Sequence, residues 1–206
     1  MSEPATKNIA TDNTVQLDLH AAATLQYIRA SMEAASSLRV PGSAAIAVGV
    51  VGVLATAVSL LPSMQDDWML VWFAAALLAI SVGGTLLLQQ FAPAGVGPIF
   101  ARGPVRRFLV CWSPAMFAGA AMTAVLWRSG NHEAISGTWL LLYGCSLVSS
   151  CAVTDKGMGL LGVGFFALGV VTFLLPPDYH VYLLGAGFGG LHLGFGFSTR
   201  QAAHGN

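Results

Sequence analysis

Few residues in this 206-residue chain have the type and spacing that chemistry requires. His192 is the most informative of them. It lies about a dozen residues into an apolar run, roughly 17 Å along a helix, which is near the middle of a bilayer core. A buried imidazole in hydrocarbon is costly and marks a functional site with a partner. Candidate partners at similar depth are Tyr143, Cys145, Ser146, Ser149 and Ser150 in another apolar run, and Thr172 lies nearer the outer end of a third. The plain alternative is an inter-helix hydrogen bond, worth about a kcal/mol or less.

One catalytic arrangement follows from these residues. Gly144-Cys145-Ser146 with His192 resembles the rhomboid proteases, six-span enzymes with a serine on the fourth span and a histidine on the sixth. The pattern then departs. Leu147 stands where a glycine follows the serine, Phe195 where a glycine follows the histidine at three, and the first outer loop is short and lacks a Trp-Arg pair. No backbone amides are evidently freed for an oxyanion hole. A protease therefore ranks last among the readings.

Other clusters are weaker. Cys111 and Cys151 fall at similar depth near the inner ends of two spans; they read as small apolar residues or a two-thiol site for a soft metal. His132-Glu133 and Asp178/His180 are two acid–histidine pairs in outer loops, either solvated or able to hold a divalent ion. A haem held by two intramembrane histidines is disfavoured, because only His192 lies inside a span. No cofactor is expected.

The elements that must position these residues are membrane spans. Only 9% of the residues are charged and 55% are apolar, with a mean hydropathy of +0.71. An average soluble domain carries about 25% charged residues. A soluble enzyme and a disordered regulator are excluded, and the zero net charge leaves no basic patch for nucleic acid. Six apolar runs are each long enough to cross the hydrocarbon core, at 43–61, 68–88, 108–127, 134–153, 158–175 and 181–199, and none contains Asp, Glu, Lys or Arg. Their continuity favours helices over a β-barrel. The chain reads as an all-α integral membrane protein of six transmembrane helices.

Orientation follows from the basic residues. With the N-terminus inside, eight of the nine Lys and Arg residues lie on the cytoplasmic side and only Arg128 lies outside. Both termini are then cytoplasmic, including the 200–206 tail. Trp68, Trp72, Trp127, Trp139, Tyr179 and Tyr182 gather at the outer ends of spans, where amphipathic rings prefer the headgroup level. Arg102, Arg106 and Arg107, beside Phe108, form a headgroup anchor on the inner leaflet. The first 40 residues contain no cleavable signal peptide pattern, so the first span serves as the insertion signal.

Residues 1–12 form a polar, disordered tail. Asn13 and Gln16 then make a capping box for an amphipathic helix over 13–39, which Pro41-Gly42 ends. Leu17, Ala21, Leu25, Ile28, Met32 and Ala35 share one face. The opposite face is nearly neutral, which disfavours a headgroup-lying helix. The stripe of Leu17, Leu25, Ile28 and Met32 therefore docks on protein, either the chain's own bundle or a partner. Glycines gather in the last two spans, where Gly185–Gly189 and Gly190–Gly194 give small-residue spacings. They predict tight packing of spans five and six, or a homodimer seam.

The segment Leu25-Gln26-Tyr27-Ile28-Arg29-Ala30-Ser31-Met32-Glu33, followed by Val40-Pro41-Gly42, resembles a group of bacterial multi-pass inner-membrane proteins. That group has a Leu-x-Tyr-Ile-Arg-x-x-Met-Glu helix before its first span. The closing segment around Gly-Phe-Gly-Gly-Leu-His192 is similar to it too. The resemblance implies a bacterial inner-membrane location and this topology, groups Tyr27, Arg29, Glu33 and His192 in one pattern, and carries no activity.

Taken together, these features describe a binding protein, an accessory or regulatory subunit with its docking surface on the cytoplasmic side. The expected partners are the lipid bilayer and a protein partner or a second copy, not nucleic acid. The alternative is a small transporter or channel for a neutral solute with His192 in the path. A quinone- or lipid-handling redox protein ranks below both.

Overall fold

Wherever the chain stays apolar for 17 residues or more it forms a helix, because backbone groups in such a run satisfy one another internally. The computed structural model describes residues 24–25, 27–28, 38–89, 103–154 and 156–204. The chain divides into two units, Met1–Ser37 and Leu38–Asn206. In the first, Thr24, Leu25, Tyr27 and Ile28 are helical. Leu17, Met32, the Asn13/Gln16 cap and Arg102 lie outside the described residues.

Apart from turns and one isolated parallel bridge between Leu38 and Thr154, the described residues of the second unit are helical. Its helices are α1 (Gly42–Ser59), α2 (Trp68–Gln89), α3 (Pro104–Arg128), α4 (Ala134–Ser150) and α5 (Lys156–Leu174). A 3-10 turn (Pro177–Tyr179) then leads into α6 (His180–Leu184), a π-helical segment (Gly185–Leu191) and α7 (His192–His204). These last four pieces run on as one apolar stretch, Pro177–Gln201, hereafter the last span. With α1, α2, α3 and α5 it makes, among the described residues, five helices long and apolar enough to cross a membrane. Helix α4 is also apolar but has 17 residues, about 26 Å of rise. It stops earlier than the 134–153 run predicts, because Cys151–Val153 turn towards α5.

The ends of the helices have local causes. After α3, Gly130 takes a positive φ of 74°, a conformation that side chains disfavour. This lets Gly130 N–H reach the Trp127 carbonyl and Asn131 N–H the Leu126 carbonyl, the Schellman pattern that satisfies terminal helix carbonyls. Helix α5 stops before Pro176-Pro177, since a residue preceding proline avoids helical geometry. At the opposite face of the bundle, Leu38 N–H donates to the Val153 carbonyl at 2.9 Å. The Leu38 side chain is buried with Val105 against Leu87, Leu88, Phe108 and Leu109.

The core comes from four elements. Ala45 of α1, Leu140 and Leu147 of α4, Met158, Leu161 and Phe165 of α5, and Leu184 and Phe195 of the last span form one buried cluster. Helix α2 buries no residue completely, and Leu70, Phe73, Leu77 and Ile80 are exposed along it, as a surface of lipid-like polarity requires. Glycine decides the pairings. A Cβ on Gly52 of α1 would lie 2.6 Å from the Phe188 main chain, and one on Gly196 2.8 Å from the Gly42 carbonyl. Likewise, a Cβ on Gly144 of α4 would stand 2.6 Å from Phe166 N, and one on Gly162 of α5 2.7 Å from Val148 N.

Spans five and six do meet through glycine, where Gly164 of α5 faces Leu191 and Gly187 of the last span faces Phe165. The last span uses its other glycines chiefly against α1, where Gly185 meets Thr56 and Gly189 meets Val53, and α5 uses Gly162 and Gly169 against α4. Gly190 and Gly194 face open space, with nothing within 4 Å of a Cβ. Gly52→Ala and Gly144→Ala should therefore each destabilise the protein in mild detergent by about 1–3 kcal/mol, the usual cost of overpacking. Gly194→Ala should be neutral or slightly stabilising. Thermal unfolding of the three variants checks the contrast.

Candidate functional site

His192 opens α7 immediately after the π-helical segment. The run Gly185-Ala186-Gly187-Phe188-Gly189-Gly190 supplies little side-chain bulk, so the helix can widen by a residue per turn here. Such π-turns recur at functional positions. The imidazole is 5% exposed, and its Nε2 lies 3.0 Å from Tyr143 Oη of α4. Three aromatic rings enclose it. Phe165 meets it edge-on at 5.2 Å, Phe188 lies nearly parallel at 6.2 Å, and Tyr143 sits at 5.7 Å between centroids. Phe165 is fully buried and packs on both Tyr143 and Phe188.

Nδ1 is buried without a hydrogen-bond partner. The bond to Tyr143 forms with either neutral tautomer, the hydroxyl donating to a bare Nε2 or accepting from Nε2–H. Trp72 of α2, whose ring lies 5.8 Å from Phe188, also holds a buried ring N–H without a partner.

Of the four residues expected to form a polar site, the fold joins two. His192 and Tyr143 are hydrogen-bonded. Ser146 is buried, but its hydroxyl donates to the Tyr143 carbonyl at 2.6 Å, and Ser149 lies on the exposed side of α4. The pattern continues along α4, where Ser150 donates to the Ser146 carbonyl and Thr154 to the Ser150 carbonyl. These hydroxyls satisfy their own helix and leave no serine proton for His192 to accept, so the rhomboid-like pairing is not formed. Phe165 and Phe188 escaped the sequence reading. Phe188 had one available signal, its position four residues before His192 on the same helical face.

His132 and His180 also have structural roles. His132 Nε2 lies 3.3 Å from the Trp127 carbonyl and stacks on the Trp127 ring at 4.2 Å. His180, buried, places Nε2 3.2 Å from the Leu175 carbonyl. A carbonyl can only accept, so each Nε2 carries a proton and caps the C-terminal end of the preceding helix, α3 or α5. Among the described residues no group of three or more His, Cys, Asp or Glu could hold a metal. The cysteines are unpaired, with Cys111 and Cys145 half-buried and Cys151 exposed beside Gly159. Of the headgroup anchor, Arg106 and Arg107 are exposed in the first turn of α3. No family model, curated protein or solved structure matches the chain.

The His192–Tyr143 bond should behave as an intramembrane structural bond. A double-mutant cycle of Tyr143→Phe and His192→Phe, read by unfolding in detergent, should give a coupling of about 0.6 kcal/mol and no more than about 1.7. A coupling indistinguishable from zero would remove the bond from this account.

Proposed function

We propose that the chain is a six-span protein of a bacterial cytoplasmic membrane, with both termini inside, that acts by binding as an accessory or regulatory subunit. Its docking element is the amphipathic helix over 13–39. The observation that carries this reading is the attachment at Leu38. Leu38, the residue after Ser37, is bound to the Val153 carbonyl and buried with Val105 against Leu87 and Leu88, so the residue that follows the docking segment is held fixed on the bundle. Leu25 and Ile28, on the predicted docking stripe, are exposed. The groups that could perform catalysis support the same reading by their engagement elsewhere, in helix back-bonding, in caps and in the Tyr143 pair.

The unpartnered Nδ1 of His192 favours a second reading, a small transporter or channel for a neutral solute. Against it, Tyr143, Phe165 and Phe188 pack on the imidazole, and a solute passing His192 would have to displace them.

Two measurements test the proposal. In a background lacking the three cysteines, Ser63→Cys and Ser129→Cys should react with an impermeant thiol reagent in intact cells, and Ala101→Cys only after permeabilisation. The reverse pattern overturns the orientation. A photo-crosslinking side chain at position 25 or 28 in native membranes should give one discrete adduct whose mass is not twice that of the chain, with little from position 26. Absence of any adduct at 25 and 28, or a homodimer mass, overturns the docking role.

A further inference from the structure

We infer that Tyr143 is a redox-active side chain: an oxygen-centred radical in the lipid takes an electron from Trp72, Tyr143 refills it, and the phenol proton passes to His192 Nε2. This chemistry depends neither on orientation in the membrane nor on a docking partner.

The pair already makes the contact that such a step requires. Losing an electron turns a phenol into a strong acid, so the electron leaves readily only where a base takes the proton at the same time. The bilayer core holds no water to do so. Tyr143 Oη lies 3.0 Å from His192 Nε2, and a neutral imidazole is the side chain suited to receiving that proton. The tautomer with a bare Nε2 is the competent one, since the proton then moves along the existing bond. The imidazolium so formed lies nearly parallel to the Phe188 ring, 6.2 Å between centroids, where a ring face attracts a cation. The other three of the four tyrosines, Tyr27, Tyr179 and Tyr182, are exposed.

A route for the electron leads towards the lipid. Phe188 lies 5.0 Å from Tyr143 and 5.8 Å from Trp72 between ring centroids, so phenol and indole are no further apart than those two steps together. Trp72 is half-buried on α2, the helix that buries no residue completely. Its N–H is buried without a hydrogen-bond partner. An indole radical cation formed there has no acceptor for its proton, so it keeps its oxidising strength until an electron arrives. Tyr143 supplies that electron, being the ring of the cluster with a base in contact.

Atoms and charge balance. Trp72 gives one electron to an alkoxyl radical, RO•, as a lipid hydroperoxide yields on cleavage, and the RO− takes a proton from interfacial water to become ROH. Tyr143 then gives one electron to Trp72 and its proton to His192, leaving a neutral tyrosyl radical and an imidazolium. The bonds exchanged are the phenol O–H and an imidazole N–H.

The test uses the full chain in detergent carrying Y27F/Y179F/Y182F, which leaves Tyr143 as the sole tyrosine. It is oxidised either by a flash-generated ruthenium(III) polypyridyl complex or by a lipid hydroperoxide cleaved with ferrous iron, and read by electron paramagnetic resonance and time-resolved absorption. A neutral tyrosyl radical should form with both oxidants and give way to a tryptophanyl radical when Y143F is added. H192Q keeps a hydrogen-bond acceptor but no base, and should form the tyrosyl radical about a hundredfold more slowly, a usual loss when a positioned base is removed. W72F should also slow it. Absence of the tyrosyl signal with either oxidant, or an unchanged rate in H192Q or in W72F, overturns the assignment. If H192Q is not monodisperse, H192N is read in its place, with the same outcomes.

Discussion

Main-chain contact through glycine is the constraint on which this bundle depends. Between membrane helices the surrounding lipid is as apolar as leucine, so burial gives little drive for association and close packing must supply it. Gly42, Gly49, Gly52, Gly189 and Gly196 allow α1 and the last span to approach backbone to backbone, and Gly144, Gly162 and Gly169 do the same for α4 and α5. These two tight pairs enclose Leu140, Leu147, Phe165 and Phe195. Helices α2 and α3 pack outside them, leaving Phe73, Leu77 and Phe117 exposed.

The polar interior is a consequence of that packing. A glycine-rich stretch narrow enough to meet α1 is also soft enough to form a π-turn, and the turn delivers His192 between Phe165 and Phe188 opposite Tyr143. The hydroxyls of Thr138, Ser146 and Ser150 on α4 donate to carbonyls of their own helix, which satisfies backbone and side chain without water. At the end of the bundle where α4 stops, Leu38 binds the Val153 carbonyl and is buried with Val105 against α2 and α3.

Much of this was legible in the residues. Uncharged runs of about 20 residues can only be spans or buried helices, so the helix positions emerged within a few residues, and Pro41-Gly42 marked the start of the first. The depth match between Tyr143 and His192 was also visible, since both lie a similar rise from the outer ends of their spans. Helix partners were not. Spans five and six adjoin in sequence and both carry glycine, yet only Gly164 and Gly187 face across that pair, and most of the others meet α4 or α1. Nothing in an apolar run records which face meets which neighbour when lipid and protein have the same polarity. For the same reason Gly190 and Gly194 looked identical in sequence to Gly185 and Gly189, though only the latter touch anything. Ser149 and Ser146 were likewise indistinguishable until the helix's exposed side was known.

The pairing of the last span with α1 is the central claim, because the position of His192, the enclosure of its ring and the inner junction all follow from it. Disulfide trapping in a cysteine-free background tests it most directly. Cysteine pairs at 46 with 196 and at 53 with 189 should cross-link rapidly under mild oxidation in native membranes, as should 141 with 169 between α4 and α5. Cysteine at 190 or 194 should find no partner within the chain. Rapid cross-linking of 190 or 194 to α5, with none between 53 and 189, would contradict the arrangement.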